Sequence, residues 1–322
     1  MRALPRRVLI VAQLAAAGLL FYFVWRTLAD QWIDFRTQPL ETDLGVGKLV
    51  ASAVLVFATY GLLVQLWRML IAGAGASLRF WPALRIWAVS GLWRYVPGKI
   101  WSIGAMSTMA HRENVPAVAA AGTAVLNTVL NIACGIAISM LLVWRWLNEV
   151  NRGLQPAAVI LLVLAMLGLL ALPYVAPRLA AFAGRISGRE VAFRSPPAWA
   201  LALAVAGNML AWALYGMSFM LLVQGVLGEA SAPMWQYIAV FTASYVIGYL
   251  FLLAPGGIGP REAVMIQLMI SLGLATAKEA ALVAVASRIW LTILEIIPGL
   301  LFLAFTRAKH TAPIGPTDAS RQ

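Results

Sequence analysis

Two short stretches place proline, glycine and a cation inside strongly apolar sequence. The first is Arg94, Tyr95, Val96, Pro97, Gly98, Lys99, Ile100 and Trp101; the second runs from Ala254 through Pro255, Gly256, Gly257, Ile258, Gly259 and Pro260 to Arg261 and Glu262. Proline donates no backbone hydrogen bond and glycine makes a regular helix costly, so each stretch predicts a helix break. A helix that restarts beyond such a break presents unpaired N–H groups and the positive end of its dipole, and a phosphate suits that end. Lys99 and Arg261 add full charge to partial charge, and Arg94 lies one helical turn before Pro97. Two readings of these cations are open: counter-charges for an anion, or snorkelling at the interface for Arg94 and Lys99 and pairing with Glu262 for Arg261. Glu262 also has two readings, a first-turn acid that complements its own helix dipole, or a partner for Lys99, Arg94 or a translocated proton.

The final apolar run carries Arg288 and Glu295, seven residues apart and therefore on one helical face. Both are expensive against lipid, so that face points into the protein, as an ion pair, a bridge between halves or a substrate contact. Thr123, Asn127 and Asn131 recur every four residues and form a polar stripe, either hydrogen-bonding between helices or lining a polar path. No P-loop, nucleophile elbow or metal-spaced cluster of His, Asp or Cys is present, and no loop is long enough for a soluble transferase domain. A transporter is therefore expected rather than an enzyme, with no cofactor.

The elements that must position these groups follow from composition. The chain has 322 residues, is 62% hydrophobic and only 11% charged, which describes a polytopic α-helical membrane protein. The formal charge of +12 sits in loops beside apolar helices, a pattern that sets membrane orientation and does not indicate a nucleic-acid partner. Cys134 is the single cysteine and is read as a small buried helix residue. Arg2, Arg6 and Arg7 precede the apolar run 8–25, which has no small-residue cleavage site after it and is read as an uncleaved first helix. Further spans are expected at 49–72, 117–144, 156–176, 198–226 and 280–305. The segments 84–110 and 234–274 are the interrupted ones, and the part from Arg261 to Leu274 is too short to cross. The Trp residues that flank spans, among them Trp25, Trp81, Trp93, Trp101, Trp144 and Trp146, read as an interfacial belt.

Pro97-Gly98-Lys99-Ile100 and Pro255-Gly256-Gly257-Ile258 each follow two long spans and precede one. This predicts two inverted repeats of four elements, 1–150 and 151–306, with six full transmembrane helices, two re-entrant helical hairpins and a disordered cytoplasmic tail at 307–322. Loops placed inside under this topology receive twice the cations of those outside, Arg178, Arg185, Arg189 and Arg194 among them. Both termini are therefore expected in the cytoplasm of a cell with the protein in its inner membrane.

The paired motifs, running from Arg94 to Ser102 and from Pro255 to Ala263, resemble the transmembrane region of lysylphosphatidylglycerol synthases, also called the flippase-like integral membrane family. The likeness covers nearly the whole chain, and Arg288 and Glu295 look similar to that family's polar final span. Pro260 departs from it, since a Val-like residue is more usual there, which leaves the exact start of the restarted helix open. The resemblance implies movement between leaflets of a phospholipid or a polyprenyl-phosphate-linked molecule, and the partner expected from the basic breaks is an anionic lipid or lipid-linked phosphate. It does not carry aminoacyl transfer, which in the full-length synthases belongs to a separate soluble domain. Two alternatives remain: an integral-membrane transferase that uses a lipid-phosphate donor with Glu262 as base, and an accessory subunit that anchors a separate synthase or glycosyltransferase.

Overall fold

A computed structural model describes residues 44–95, 100–150, 195–228, 232–251, 257 and 259–310, with isolated positions between 156 and 178. The expected spans 8–25 and 156–176 fall outside the described residues, wholly or for the most part. Eight helices stand among those described: α1 (Val46–Gly73), α2 (Phe80–Gly91, continued by a 3-10 turn over Leu92–Tyr95), α3 (Ile100–His111), α4 (Ala117–Val150), α5 (Ala198–Leu227), α6 (Met234–Leu250), α7 (Pro260–Ser271) and α8 (Ala277–His310).

Helix length sorts them into two kinds. Segments of α1, α4, α5 and α8, namely Val46–Gly73, Ala117–Leu142, Ala198–Leu227 and Ala277–Ala304, are long and apolar enough to cross a membrane. By contrast α2, α3 and α7 have 12 residues each, about 18 Å of helix, and α6 has 17, about 25 Å, against a hydrocarbon core of about 30 Å. The short helices are the ones on either side of the two breaks. Helix α6 ends at Leu250, four residues before the expected Ala254, and α8 continues to His310. The first four residues of the expected disordered tail, 307–310, are therefore helical, because no proline or glycine interrupts the run after Gly299.

Apolar side chains gain little from leaving lipid for a protein interior, so close contact between small residues decides how such helices pack. Helices α1 and α5 lie antiparallel along their whole length. Gly45 N donates to Gly225 O at 2.9 Å at one end, Leu66 packs into the space left by Gly207, and Gly73 meets Pro197 at the other end. Near the first end, Ser52 Oγ donates to Ser218 O and Ser218 Oγ donates to Ser52 O, both at 2.9 Å. Trp290 Nε1 on α8 donates to Ser52 Oγ at 3.2 Å, which ties the last helix to this pair.

Two further contacts cross between the halves. Helix α4 packs on α6, and α8 packs on α2. Each long helix offers a glycine there: a side chain at Gly135 would meet Val246 on α6, and one at Gly299 would meet the Ala88 carbonyl and Leu92 beside α2. The lengths match as well. Helices α3 and α7 have 12 residues each, the connections 112–116 and 272–276 have five each, and α4 and α8 have 34 each. Ile100 to Pro260 and Ala117 to Ala277 are both steps of 160 residues.

Candidate functional site

The second break is built by its glycines. Gly257 has φ +74° and Gly259 φ +94°, left-handed values that L side chains rarely adopt. Pro260 then opens α7, so the helix start left open by the family departure falls on the proline itself. Its N-terminus is closed by Glu262, whose Oε2 accepts from Gly259 N at 2.7 Å. The break folds back against α6 at Gly248: a side-chain carbon on Gly257 would lie 2.8 Å from the Gly248 carbonyl oxygen, and one on Gly248 would lie 2.7 Å from Arg261 Cβ. Gly257→Ala therefore meets both a strained φ and a backbone clash. We expect it to destabilise the protein by about 1–3 kcal/mol, measured as a lowered Tm in detergent.

This geometry places the Arg261 side chain in the interior. Arg261 is only 5% exposed. Its guanidinium carbon lies 5.4 Å from the Phe241 ring centre and 5.1 Å from that of Tyr245, both on α6. The aromatic faces offset part of the desolvation of the charge, yet Nη2 is buried with no hydrogen-bond partner among the described residues. Of the two readings open for Arg261, pairing with its neighbour Glu262 is not the contact formed: the guanidinium faces this aromatic cage. Glu262 turns the other way. Its Oε1 lies 3.7 Å from Arg288 Nη1 on α8, each side chain 19% exposed, so the acid both caps its own helix and faces a cation. Glu295 lies within the electrostatic reach of Arg261 together with Glu262 and Arg288. Arg288 thus bridges helices through Glu262, and the cluster of two arginines and two glutamates balances in formal charge.

Arg261 borders a cavity of about 180 Å³ between the two halves of the chain. From the first half, α1 contributes Tyr60 and Leu63, α2 contributes Trp87, Ser90 and Gly91, α3 contributes Ser102, Ile103 and Met106, and α4 contributes Asn127, Thr128 and Asn131. From the second half come Trp212 and Tyr215 on α5, Tyr245, Gly248 and Tyr249 on α6, and Gly257 in the break. Residues that flank both breaks, Ser90, Gly91 and Ser102 on one side and Gly248, Gly257 and Arg261 on the other, therefore share one space.

The polar stripe of α4 divides in its use. Thr123 Oγ1 donates to the Ala119 carbonyl at 2.7 Å within its own helix. Asn131 Nδ2 donates to Asn208 Oδ1 at 2.8 Å, and Asn208 Nδ2 donates to Asn127 Oδ1 at 3.3 Å. Trp212 Nε1 donates to the Asn131 carbonyl at 2.8 Å. Asn127 and Asn131 thus join α4 to α5 and line the cavity at once. Pro97, Gly98, Lys99, Pro255 and Gly256 lie outside the described residues, as does the side chain of Arg94, whose backbone belongs to the 3-10 turn.

Sequence reasoning missed the cage residues Phe241 and Tyr245, the partner amide Asn208, and the cavity residues Trp87 and Trp212. A usable signal existed for Asn208 and Trp212, both at the middle of a span, where a polar side chain or an indole N–H needs an internal partner. Cys134 is buried on α4, as expected. Among the described residues, no group of three or more His, Cys, Asp or Glu is placed to hold a metal ion.

The family model described as the lysylphosphatidylglycerol synthase TM region matches residues 9–299. No curated protein sequence matches the chain.

Proposed function

The chain belongs to the lysylphosphatidylglycerol synthase transmembrane-region family, and from that premise we propose that it is a translocase that carries the phosphate-bearing head of a lipid between leaflets. The lipid is an anionic phospholipid or a polyprenyl-phosphate-linked molecule. Its head occupies the cavity between the halves while its tails stay in the bilayer. One observation carries the reading: a buried arginine whose Nη2 has no hydrogen-bond partner among the described residues, at the wall of a cavity that both broken helices border. An intramembrane charge held without a hydrogen-bond partner is costly, and a phosphate supplies what it lacks.

The matched lengths of α3–α4 and α7–α8 support the inverted-repeat reading, as does the reciprocal packing of each long helix on the other half's broken one. In such an arrangement, rocking of one repeat against the other alternates access to a site at their interface. Two re-entrant hairpins, α2–α3 and α6–α7, complete it, in the cytoplasmic membrane with both termini inside. No covalent step belongs to this account. In this account Glu262 is structural: its Oε2 caps α7 through Gly259 N, and its Oε1 lies 3.7 Å from the charge of Arg288.

The test is leaflet transfer in vesicles reconstituted with the purified full chain. Transfer of a labelled anionic phospholipid or polyprenyl phosphate above that in protein-free vesicles is expected. Transfer equal to that of empty vesicles for every phosphate-headed lipid tried would overturn the reading.

A further inference from the structure

The structural role of Glu262 uses one of its two carboxylate oxygens. Oε2 accepts from Gly259 N at 2.7 Å. Oε1 is buried with no hydrogen-bond partner among the described residues, and Arg288 Nη1 stands 3.7 Å from it, beyond hydrogen-bond distance. A carboxylate oxygen that is taken out of water and held by no donor is the atom of this acid that can accept a proton. A proton on Oε1 leaves Oε2 accepting from Gly259 N, so the start of α7 at Pro260 is kept whether the acid is charged or neutral.

The ionisable groups beside this acid act as one electrostatic unit. On α7 the adjacent residue is Arg261. Helices α6 and α8 pack on α7; α8 brings Arg288 and Glu295, and α6 brings Tyr245, all of which act on Arg261 together with Glu262. The connection 251–259 holds no ionisable side chain. Of the two acids, Glu262 is the one with a buried oxygen that lacks a hydrogen-bond partner among the described residues. Arg261 in turn borders the cavity.

With Glu262 ionised, its charge and that of a phosphate at Arg261 repel each other and share the field of the same two arginines. With a proton on Oε1 that repulsion is gone. Proton and phosphate therefore each raise the affinity for the other, as linkage requires. For one unit charge at the spacing of neighbouring residues in a partly buried site, the effect is on the order of tenfold in affinity.

From this geometry we infer that Glu262 Oε1 is a proton site coupled to phosphate binding at Arg261. A proton enters from solvent as the head binds and returns to solvent as the head departs, with no other bond formed or broken. The inference rests on the translocase reading and adds its driving force: the head moves with a proton toward the more alkaline side of the membrane.

The experiment uses the full chain with two phosphodiester lipids whose own charge does not change near neutral pH, phosphatidylglycerol and a polyprenyl-phosphate hexose. In weakly buffered detergent, at least one of them should bind on the order of tenfold more tightly at about pH 5.5 than at about pH 7.5, with uptake of protons from the medium on binding. Glu262→Gln, checked by its Tm, should bind with the low-pH affinity at both pH values and take up no protons, while Glu295→Gln should keep the pH dependence. In vesicles, after subtraction of transfer in protein-free controls, the native chain should move the lipid faster toward the alkaline leaflet than away from it. Affinity independent of pH with no proton uptake in the native chain overturns the inference and leaves translocation standing, and this readout holds even where Glu262→Gln does not fold. A pH dependence that persists in Glu262→Gln, or that is lost in Glu295→Gln alone, also overturns it. Binding of neither lipid at any pH removes the phosphate site at Arg261 and the inference together.

Discussion

Arg261→Met is expected to yield a folded protein, no less stable than the parent, that has lost about 10- to 100-fold in headgroup transfer. The two halves of that expectation have separate physical causes. Stability is preserved because the guanidinium is buried with no hydrogen-bond partner for Nη2 among the described residues, and replacing an incompletely paired buried charge by an apolar side chain of similar size is often neutral or stabilising. The remaining contacts, the faces of Phe241 and Tyr245, accept a thioether nearly as well. Transfer falls because a hydrogen bond to a charged group contributes about 1.5–3 kcal/mol, which is roughly one to two powers of ten in affinity or rate. Arg261→Lys should recover only part of the rate, since an ammonium keeps the charge but loses the planar stack on the rings and the forked donors. The paired readout is Tm in detergent and transfer rate in vesicles. A variant that loses both together would show that Arg261 is structural.

The second large effect concerns Glu262 and Arg288. Glu262→Gln keeps an oxygen able to accept from Gly259 N, so the start of α7 should survive. What it removes is the negative charge opposite Arg288, and Arg261 and Arg288 then share one interior cluster in which Glu295 is the remaining acid among the described residues. For a pair one-fifth exposed at 3.7 Å, the loss is expected to be about 1–3 kcal/mol, below that of a fully buried pair. Glu262→Ala should cost about 1 kcal/mol more, because the helix N-terminus loses its cap as well. Combining Glu262→Gln with Arg288→Met should return part of the lost stability, so that the double variant is more stable than the sum of the singles predicts. Strict additivity in a thermal or denaturant series would show that the two side chains do not interact.

Much of this arrangement could be read from residue types, and the exceptions have a common cause. The second break was legible because proline and three glycines in six positions leave a helix no other option, and Pro260 and Glu262 are a start signal in local sequence. The four long helices declared themselves through unbroken apolar length. What local sequence does not encode is which side chains meet from different helices. Arg288 looks toward Glu295 when α8 is taken alone, two turns away on one face, yet its acid at 3.7 Å is Glu262 from α7. Phe241 and Tyr245 read as ordinary apolar-helix residues until the fold-back at Gly248 and Gly257 lays Arg261 over them. Tryptophans invite the same error. Trp81 is 70% exposed, as a belt residue should be, while Trp67 and Trp212 are buried and Trp87 lines the cavity. Position along the span separates the two groups better than residue type does.

The central claim is that both broken helices border one chamber that takes a phosphate-bearing head. It is tested most directly by photolabelling the reconstituted protein with an anionic lipid that carries its reactive group on the head, followed by peptide mapping. Labels on both walls of the cavity, at α2 or α4 near Ser90 and Asn127 and at α6 near Tyr245 and Tyr249, reduced by excess unlabelled lipid and absent from Arg261→Met, are the predicted result. Labels confined to exposed positions such as Trp81, Ile289 and Leu300, or to one half of the chain, would contradict it.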